Sequence, residues 1–177
     1  MSDEEYVMTE RDPVDRLVNA YEKMLEQVDE VLDKAEKNTL PMLRKSIDTA
    51  RDKMVEMNEL TREEAEKIGG YLERDMKDAA HFLSETGEEF RHWYKFDVEL
   101  IEARMMELFA KVADRTRLEM ERFTHQMREA SMYHTGEITG PGTLICTKCG
   151  KELHFHKTGR IPPCGKCHAT EFERGGD

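Results

Sequence analysis

Four cysteines stand in this 177-residue chain, at Cys146, Cys149, Cys164 and Cys167. They form one C-x-x-C, fourteen intervening residues, and a second C-x-x-C. Thiolates are soft ligands, and four of them make a tetrahedral cage with metal–sulfur bonds of about 2.3 Å that suits Zn²⁺. Each C-x-x-C supplies a tight turn that aims two sulfurs at one point. Gly150 and Gly165 each follow a ligand directly, where a left-handed backbone and a close approach of amides to sulfur are easily accommodated. The spacing therefore assigns Cys146, Cys149, Cys164 and Cys167 as ligands of a single Zn²⁺ per chain. Iron in a rubredoxin-like cage shares the S₄ geometry and is the alternative metal. Disulfides are not expected in a chain without an export signal, and a thioredoxin-type redox pair would need a surrounding βαβ pattern. His154 and His156 fall on one strand face, but four cysteines already fill a tetrahedral shell.

The elements that must hold these ligands are short strands. Glu152-Leu-His-Phe-His156 alternates between the knuckles, Lys157-Thr-Gly-Arg160 reads as a turn, and Leu144-Ile145 and Thr170-Glu-Phe172 read as flanking strands. The expectation is a zinc ribbon over residues 144–174, whose core is mostly the metal. So small a piece cannot bury enough apolar surface alone, and structural zinc supplies on the order of 10–16 kcal/mol in zinc-finger peptides.

The rest of the chain reads as helix. Asp12-Pro13 is an N-cap followed by proline at the first helical position. Val14, Tyr21, Val28 and Ala35 recur every seven residues, with Leu17/Val18, Met24/Leu25 and Val31/Leu32 between them. After Asn38-Thr39-Leu40-Pro41 the seam restarts through Leu43, Ile47, Ala50, Met54 and Met57. Thr61-Arg-Glu-Glu64 has the form of a capping box. Ala65, Ile68, Leu72, Met76, Ala79 and Leu83 hold one phase across Gly69-Gly70, which predicts a continuous third helix ending near Ser84–Gly87. A last helical stretch is predicted from about Glu88 to Tyr133, with a phase change near Asp114. Four helical stretches with short connections imply antiparallel neighbours. The expected fold is mainly α: an elongated antiparallel helical bundle or coiled-coil body with a small C-terminal β zinc ribbon. Its expected divisions are an acidic N-terminus at 1–12, the helical region at 13–133, a Gly-rich linker at 134–143 and the ribbon at 144–174.

Composition agrees with that division. Charged residues make up 37% and aromatics 7%, which suits solvated helices rather than a β-sandwich. The net charge of −11 is uneven: residues 143–177 carry six basic and four acidic side chains, a net +2, which leaves −13 on residues 1–142. Such a body repels phosphate backbones. The acidic N-terminus lacks the apolar stretch of a secretory signal, and no apolar run approaches ~18 residues, so a cytoplasmic protein without a membrane span is expected.

Tyr133-His-Thr-Gly-Glu-Ile-Thr-Gly-Pro-Gly-Thr-Leu-Ile-Cys146, with Pro162-Pro-Cys-Gly-Lys-Cys167 and the Asn58-Glu-Leu-Thr-Arg62 stretch, resembles the YbeL-like zinc-ribbon-containing family of uncharacterised bacterial proteins. The likeness spans about residues 13–174. It implies the same four cysteines as metal ligands and implies no activity. Gly165 and His168 stand where ribbons often have Pro and Gly. His134-Thr-Gly-Glu137 is the most site-like feature outside the cysteines, and its expected role is a linker turn docking the ribbon onto the last helix.

No Ser/His/Asp set, phosphate-binding Gly loop or nucleotide fingerprint occurs. The architecture is also similar to rubrerythrin, a di-iron peroxidase, but Glu89-Phe-Arg-His92 is the only Glu-x-x-His motif, with Asp78-Ala-Ala-His81 a poor second. The expected protein is therefore not an enzyme but an interaction or adaptor protein with a structural zinc ribbon. Its expected partners are proteins, with self-association through the helical seam. Nucleic-acid or transcription-machinery contact through Lys148, Lys151, Lys157, Arg160 and Lys166 is the first alternative, and iron redox chemistry the second.

Overall fold

The computed structural model describes residues 12–35, 40–86, 103–123 and 132–175. Among the described residues four helices, α1 (Pro13–Asp33), α2 (Leu40–Glu56), α3 (Arg62–Thr86) and α4 (Ala103–Phe123), are followed by strands β1 (Met132–His134), β2 (Ile138–Thr139), β3 (Gly142–Cys146), β4 (Glu152–Phe155), β5 (Gly159–Arg160) and β6 (Glu171–Arg174). None of the described helices is long and apolar enough to cross a membrane.

The local signals in the sequence act as expected. The Asp12 carboxylate accepts from the Val14 amide at 3.0 Å and starts α1 at Pro13. The capping box closes both ways, with the Thr61 amide donating to Glu64 at 2.9 Å and the Glu64 amide donating to the Thr61 hydroxyl at 3.2 Å. The Thr61 amide is the main reason the Glu64 carboxyl titrates below its ordinary value, with Arg16 adding to it. Asn58 takes the left-handed conformation, φ 56°, and turns the chain from α2 into α3. That turn leaves Met57 57% exposed, off the seam to which its spacing assigned it.

The apolar seams meet in one core. Tyr21, Met24, Leu25, Val28 and Leu32 of α1 pack with Leu43, Ile47, Ala50 and Met54 of α2 and with the whole Ala65–Leu83 series of α3. From α4 come Met105, Phe109, Val112 and Ala113. The spacing predicts a seam for this last helical stretch through Val98, Ile101, Met105, Leu108 and Val112 and then Thr116, Met120, Phe123, Met127 and Ala130, and the buried Phe109 lies one residue off it. Met105, Val112 and Thr116 of that seam are buried, while the side chains of Val98, Ile101, Met120, Phe123, Met127 and Ala130 lie outside the described residues, as does Glu89-Phe-Arg-His92.

Charge pairs give the directions of the helices. Lys23–Glu59 at 2.9 Å links α1 to the turn after α2, and the Lys53 amine donates to Gln27, so α1 and α2 run antiparallel. Arg44–Glu73 at 3.1 Å and the approach of Arg51 to Gly69 set α3 antiparallel to α2. Glu26–Arg104 at 2.7 Å, Asp29–Lys111 at 2.9 Å and Asp33–Arg115 advance together along both helices, so α4 runs parallel to α1. Antiparallel order thus holds from α1 to α3, while α4 lies alongside α1 in the same direction.

α3 passes through Gly69-Gly70 without a break. At Gly69 a Cβ would lie 2.6 Å from Cδ of Arg51, so the missing side chain lets Arg51 lie across the helix. At Gly70 nothing comes within 4 Å.

The strands form an antiparallel sheet in the order β1-β6-β3-β4 and a two-stranded pair β2-β5. The sheet begins earlier than the expected ribbon boundary. Met132 and Tyr133, expected at the end of the last helix, and His134, expected in the linker, form a strand in which Tyr133 pairs with Phe172 across the β1–β6 ladder. The supposed linker 134–143 contains β2 and the start of β3.

In thermal unfolding, Gly70→Ala is expected to stabilise the bundle by about 1 kcal/mol through reduced backbone entropy. Gly69→Ala should give no gain, since its new methyl displaces Arg51.

Candidate metal centre and its seat on the bundle

Each pair of ligands is placed by a turn with one hydrogen-bond pattern used twice. The Gly150 amide donates to the Cys146 carbonyl at 2.9 Å and the Cys146 amide to the Lys151 carbonyl at 2.9 Å. In the second knuckle the His168 amide donates to Cys164 and the Cys164 amide to Ala169, also at 2.9 Å. The residue after the second cysteine of each knuckle is left-handed: Gly150 at φ 69° and His168 at φ 58°. Gly165 does not take this conformation. The matching position is His168, one place beyond Cys167, where only glycine would be free of backbone strain.

The two turns converge. The sulfurs of all four cysteines lie within 4.8 Å of one another, with Cys146–Cys167 at 3.5 Å and Cys149–Cys164 at 3.6 Å. A tetrahedral S₄ cage with bonds of about 2.3 Å has edges of about 3.8 Å, so this arrangement fits a zinc-sized ion with small adjustment. A disulfide would bring two sulfurs to about 2.05 Å, and all four cysteines are free. The Cys167 and Lys166 amides donate to the Cys164 sulfur and hold its thiol down to about 6. At Cys167 the Ala169 amide acts in the same direction, but burial and the sulfurs of Cys149, Cys146 and Cys164 outweigh it and push that thiol up to about 12. Sulfurs gathered this closely would repel one another as thiolates, and a divalent cation is the group that would offset that repulsion. Among the described residues these cysteines are the one cluster of three or more metal-ligating side chains. His154 is turned to other work, its Nδ1 lying 3.0 Å from the Thr143 hydroxyl.

The ribbon's own core is small: Tyr133, Leu144, Ile161 and Phe172 around the buried Cys146 and Cys164. It is seated on the helices by a cluster of buried charge that the sequence did not announce. Asp75 of α3 is 0% exposed. Its Oδ2 accepts from the Tyr21 hydroxyl at 2.6 Å, the Gly140 amide at 2.7 Å and the Thr139 hydroxyl at 3.2 Å. Its Oδ1 faces Arg174 at 3.2 Å and Arg74 at 3.4 Å. The Tyr133 hydroxyl donates to Asp78 and accepts from Arg174 Nε at 3.2 Å. Two guanidinium groups lie over the Tyr133 ring, Arg74 at 3.8 Å and Arg174 at 4.8 Å from its centroid. Arg74 also pairs with Glu137 and donates to the Ile138 carbonyl at 3.1 Å. Gly140 belongs here by size, since a Cβ would lie 2.8 Å from the Phe109 ring and 2.9 Å from the Tyr21 hydroxyl.

His134-Thr-Gly-Glu137 therefore docks the ribbon, but onto α3 rather than the last helix. Glu137 accepts from the His134 amide at 3.0 Å, closing the turn, and from Arg74 across the interface. Asp78 of the second di-iron candidate is engaged by Tyr133. The signal that could have revealed the cluster is Asp75 itself, a carboxylate three residues after Leu72 and four before Ala79, on the apolar face of α3.

Two predictions concern this site. Gly150→Ala should weaken the metal-loaded ribbon by about 1–2 kcal/mol, and His168→Gly should relieve strain of the same kind, both measured by denaturation with metal present. Burial raises Tyr21 and Tyr133 well above the ordinary phenol value. Their contribution to stability is thus complete below pH about 10 and is lost as pH rises beyond it. A tyrosinate absorbance titration should find at least two of the five tyrosines ionising late and together with unfolding.

The zinc-ribbon containing domain model matches residues 30–175. The chain is 27% identical over 128 residues to the uncharacterized protein YbeL of Escherichia coli K12, covering 72% of this chain and 79% of that protein. The YbeL proteins of strains O6:H1 and O157:H7 match to the same extent. No solved structure matches. With most of its length covered, bundle and ribbon together, the chain belongs to the zinc-ribbon containing domain family.

Proposed function

We propose that the protein is a non-enzymatic interaction or adaptor protein of the cytoplasm, in which one Zn²⁺ per chain is structural. The observation that carries this reading is the closed donor set. Catalytic zinc keeps a coordination position for water or substrate, whereas four converging sulfurs leave none. The metal's work is then to fold the ribbon and to present its surface in a fixed orientation on the helices. Protein partners, a second copy of this chain among them, are the expected ligands of a body with −13 of charge on residues 1–142.

One observation favours contact with nucleic acid as the second reading. Lys148, Lys151, Lys157, Arg160 and Lys166 are all exposed, and three of them sit in or beside the knuckles. Salt-sensitive binding of a nucleic-acid probe by the full chain would select this reading.

Elemental analysis of the purified protein, with its mass in solution, tests the first reading. One zinc per chain is expected. Iron, in a coloured preparation, would overturn the zinc assignment. Chelation should unfold residues 143–174 while most of the helical circular dichroism survives, and metal affinity should fall as pH falls because protons compete for the thiolates.

A further inference from the structure

We propose that the buried cluster at Asp75 and Asp78 couples the helical bundle to the metal state of the ribbon. Metal loading seats Tyr133, Thr139, Gly140 and Arg174 against α3, and metal loss unseats them. The inference goes beyond an adaptor role and rests only on the four cysteines holding a metal ion.

The connection is short and made of backbone ladder. Cys146 lies opposite Phe172, and Phe172 lies opposite Tyr133 on its other side. Arg174, two residues beyond Phe172, lies opposite Leu144, two residues before Cys146. Ile161, three residues before Cys164, is held twice to the docking turn, accepting from the Gly136 amide at 2.8 Å and donating to the Glu137 carbonyl at 2.9 Å. Each knuckle is thus tied by sheet or turn hydrogen bonds to residues that reach the bundle.

Both sides of the interface depend on the seat. The ribbon's apolar core is too small to keep its shape without the ion, and Tyr133 belongs to that core while its hydroxyl serves Asp78. On the other side, three of the five groups facing Asp75 come from the ribbon: Thr139, Gly140 and Arg174. Unseating them leaves a buried carboxylate with Tyr21 and Arg74 alone, and α3 must open locally to hydrate it. Linkage is reciprocal, so whatever weakens the seat also weakens metal retention.

Hydrogen exchange of the full chain, zinc-loaded and chelator-stripped, tests this. Stripping is expected to accelerate exchange at least tenfold over residues 70–83 of α3 and less than threefold over residues 43–56 of α2, which packs on α1 and α3. Tyr133→Phe keeps the ring and removes the hydroxyl. Loaded Tyr133→Phe should exchange faster than the loaded parent over residues 70–83, lose zinc severalfold more readily to a competing chelator, and gain less on stripping. Unchanged exchange in α3 after elemental analysis confirms zinc loss would overturn the proposal, as would equal acceleration in α2 and α3. Absence of metal from the starting protein would instead refute the metal assignment on which both readings stand.

Discussion

Four sulfurs gathered within 4.8 Å of one another impose the constraint from which the C-terminal structure follows. Two of the thiols are shifted in opposite directions: the Cys167 and Lys166 amides hold Cys164 down to about 6, while at Cys167 burial and the neighbouring sulfurs outweigh the Ala169 amide and push the thiol up to about 12. A divalent cation held among the four sulfurs would offset their mutual repulsion. The two knuckles are built to deliver sulfurs to this point with the same backbone hydrogen bonds. The second knuckle accepts a left-handed histidine to do so. Strain tolerated at His168 shows that convergence of the ligands takes precedence over local backbone preference.

A second constraint lies about the helices. A carboxylate at 0% exposure is retained only where donors replace the water it has lost, and Asp75 draws those donors from α1, from α3 and from the ribbon. Replacing such a cluster with apolar side chains of similar volume is often neutral or stabilising, so its presence is weak evidence for stability as such. What it supplies is orientation. The fork of Arg174 reaches Asp75, Thr139 and Tyr133 in one fixed pose, and Arg74 holds Glu137 and the Ile138 carbonyl in another.

These two constraints differ in how far the sequence discloses them. Two C-x-x-C pairs are a matter of spacing, so the gathering of Cys146, Cys149, Cys164 and Cys167 at one point is legible in the sequence, as are the seams of α1 to α3 and the caps at Asp12 and Thr61. Asp75, Asp78, Arg74 and Arg174 are not. In a chain that is 37% charged, four more charged residues look like solvated surface, and their burial exists only after α3 and β6 have met. Ile138-Thr139-Gly140 reads as linker in the sequence, because glycine content signals a turn and does not tell whether that turn is wet or buried. The β1 strand was lost for a related reason. Its three residues follow a helical stretch, and its pairing partner Phe172 lies 39 residues on from Tyr133.

The position of Ile138 carries the argument one step further. This residue belongs to the apolar cluster of the helices and not to that of the ribbon, although β2 precedes the first knuckle and pairs with β5 between the two. The division into body, linker and ribbon is therefore not the division of the hydrophobic cores. The helices complete their core with a residue from the sheet region, and the ribbon completes its hydrogen bonding with carboxylates from α3. A metal module of this size joined by a free linker would sample many orientations. Here apolar and ionic contacts, made by neighbouring residues 137–140, allow one. That geometry suits a surface that must be shown to a partner in a fixed relation to an acidic helical body, which is the physical sense of the adaptor role proposed above.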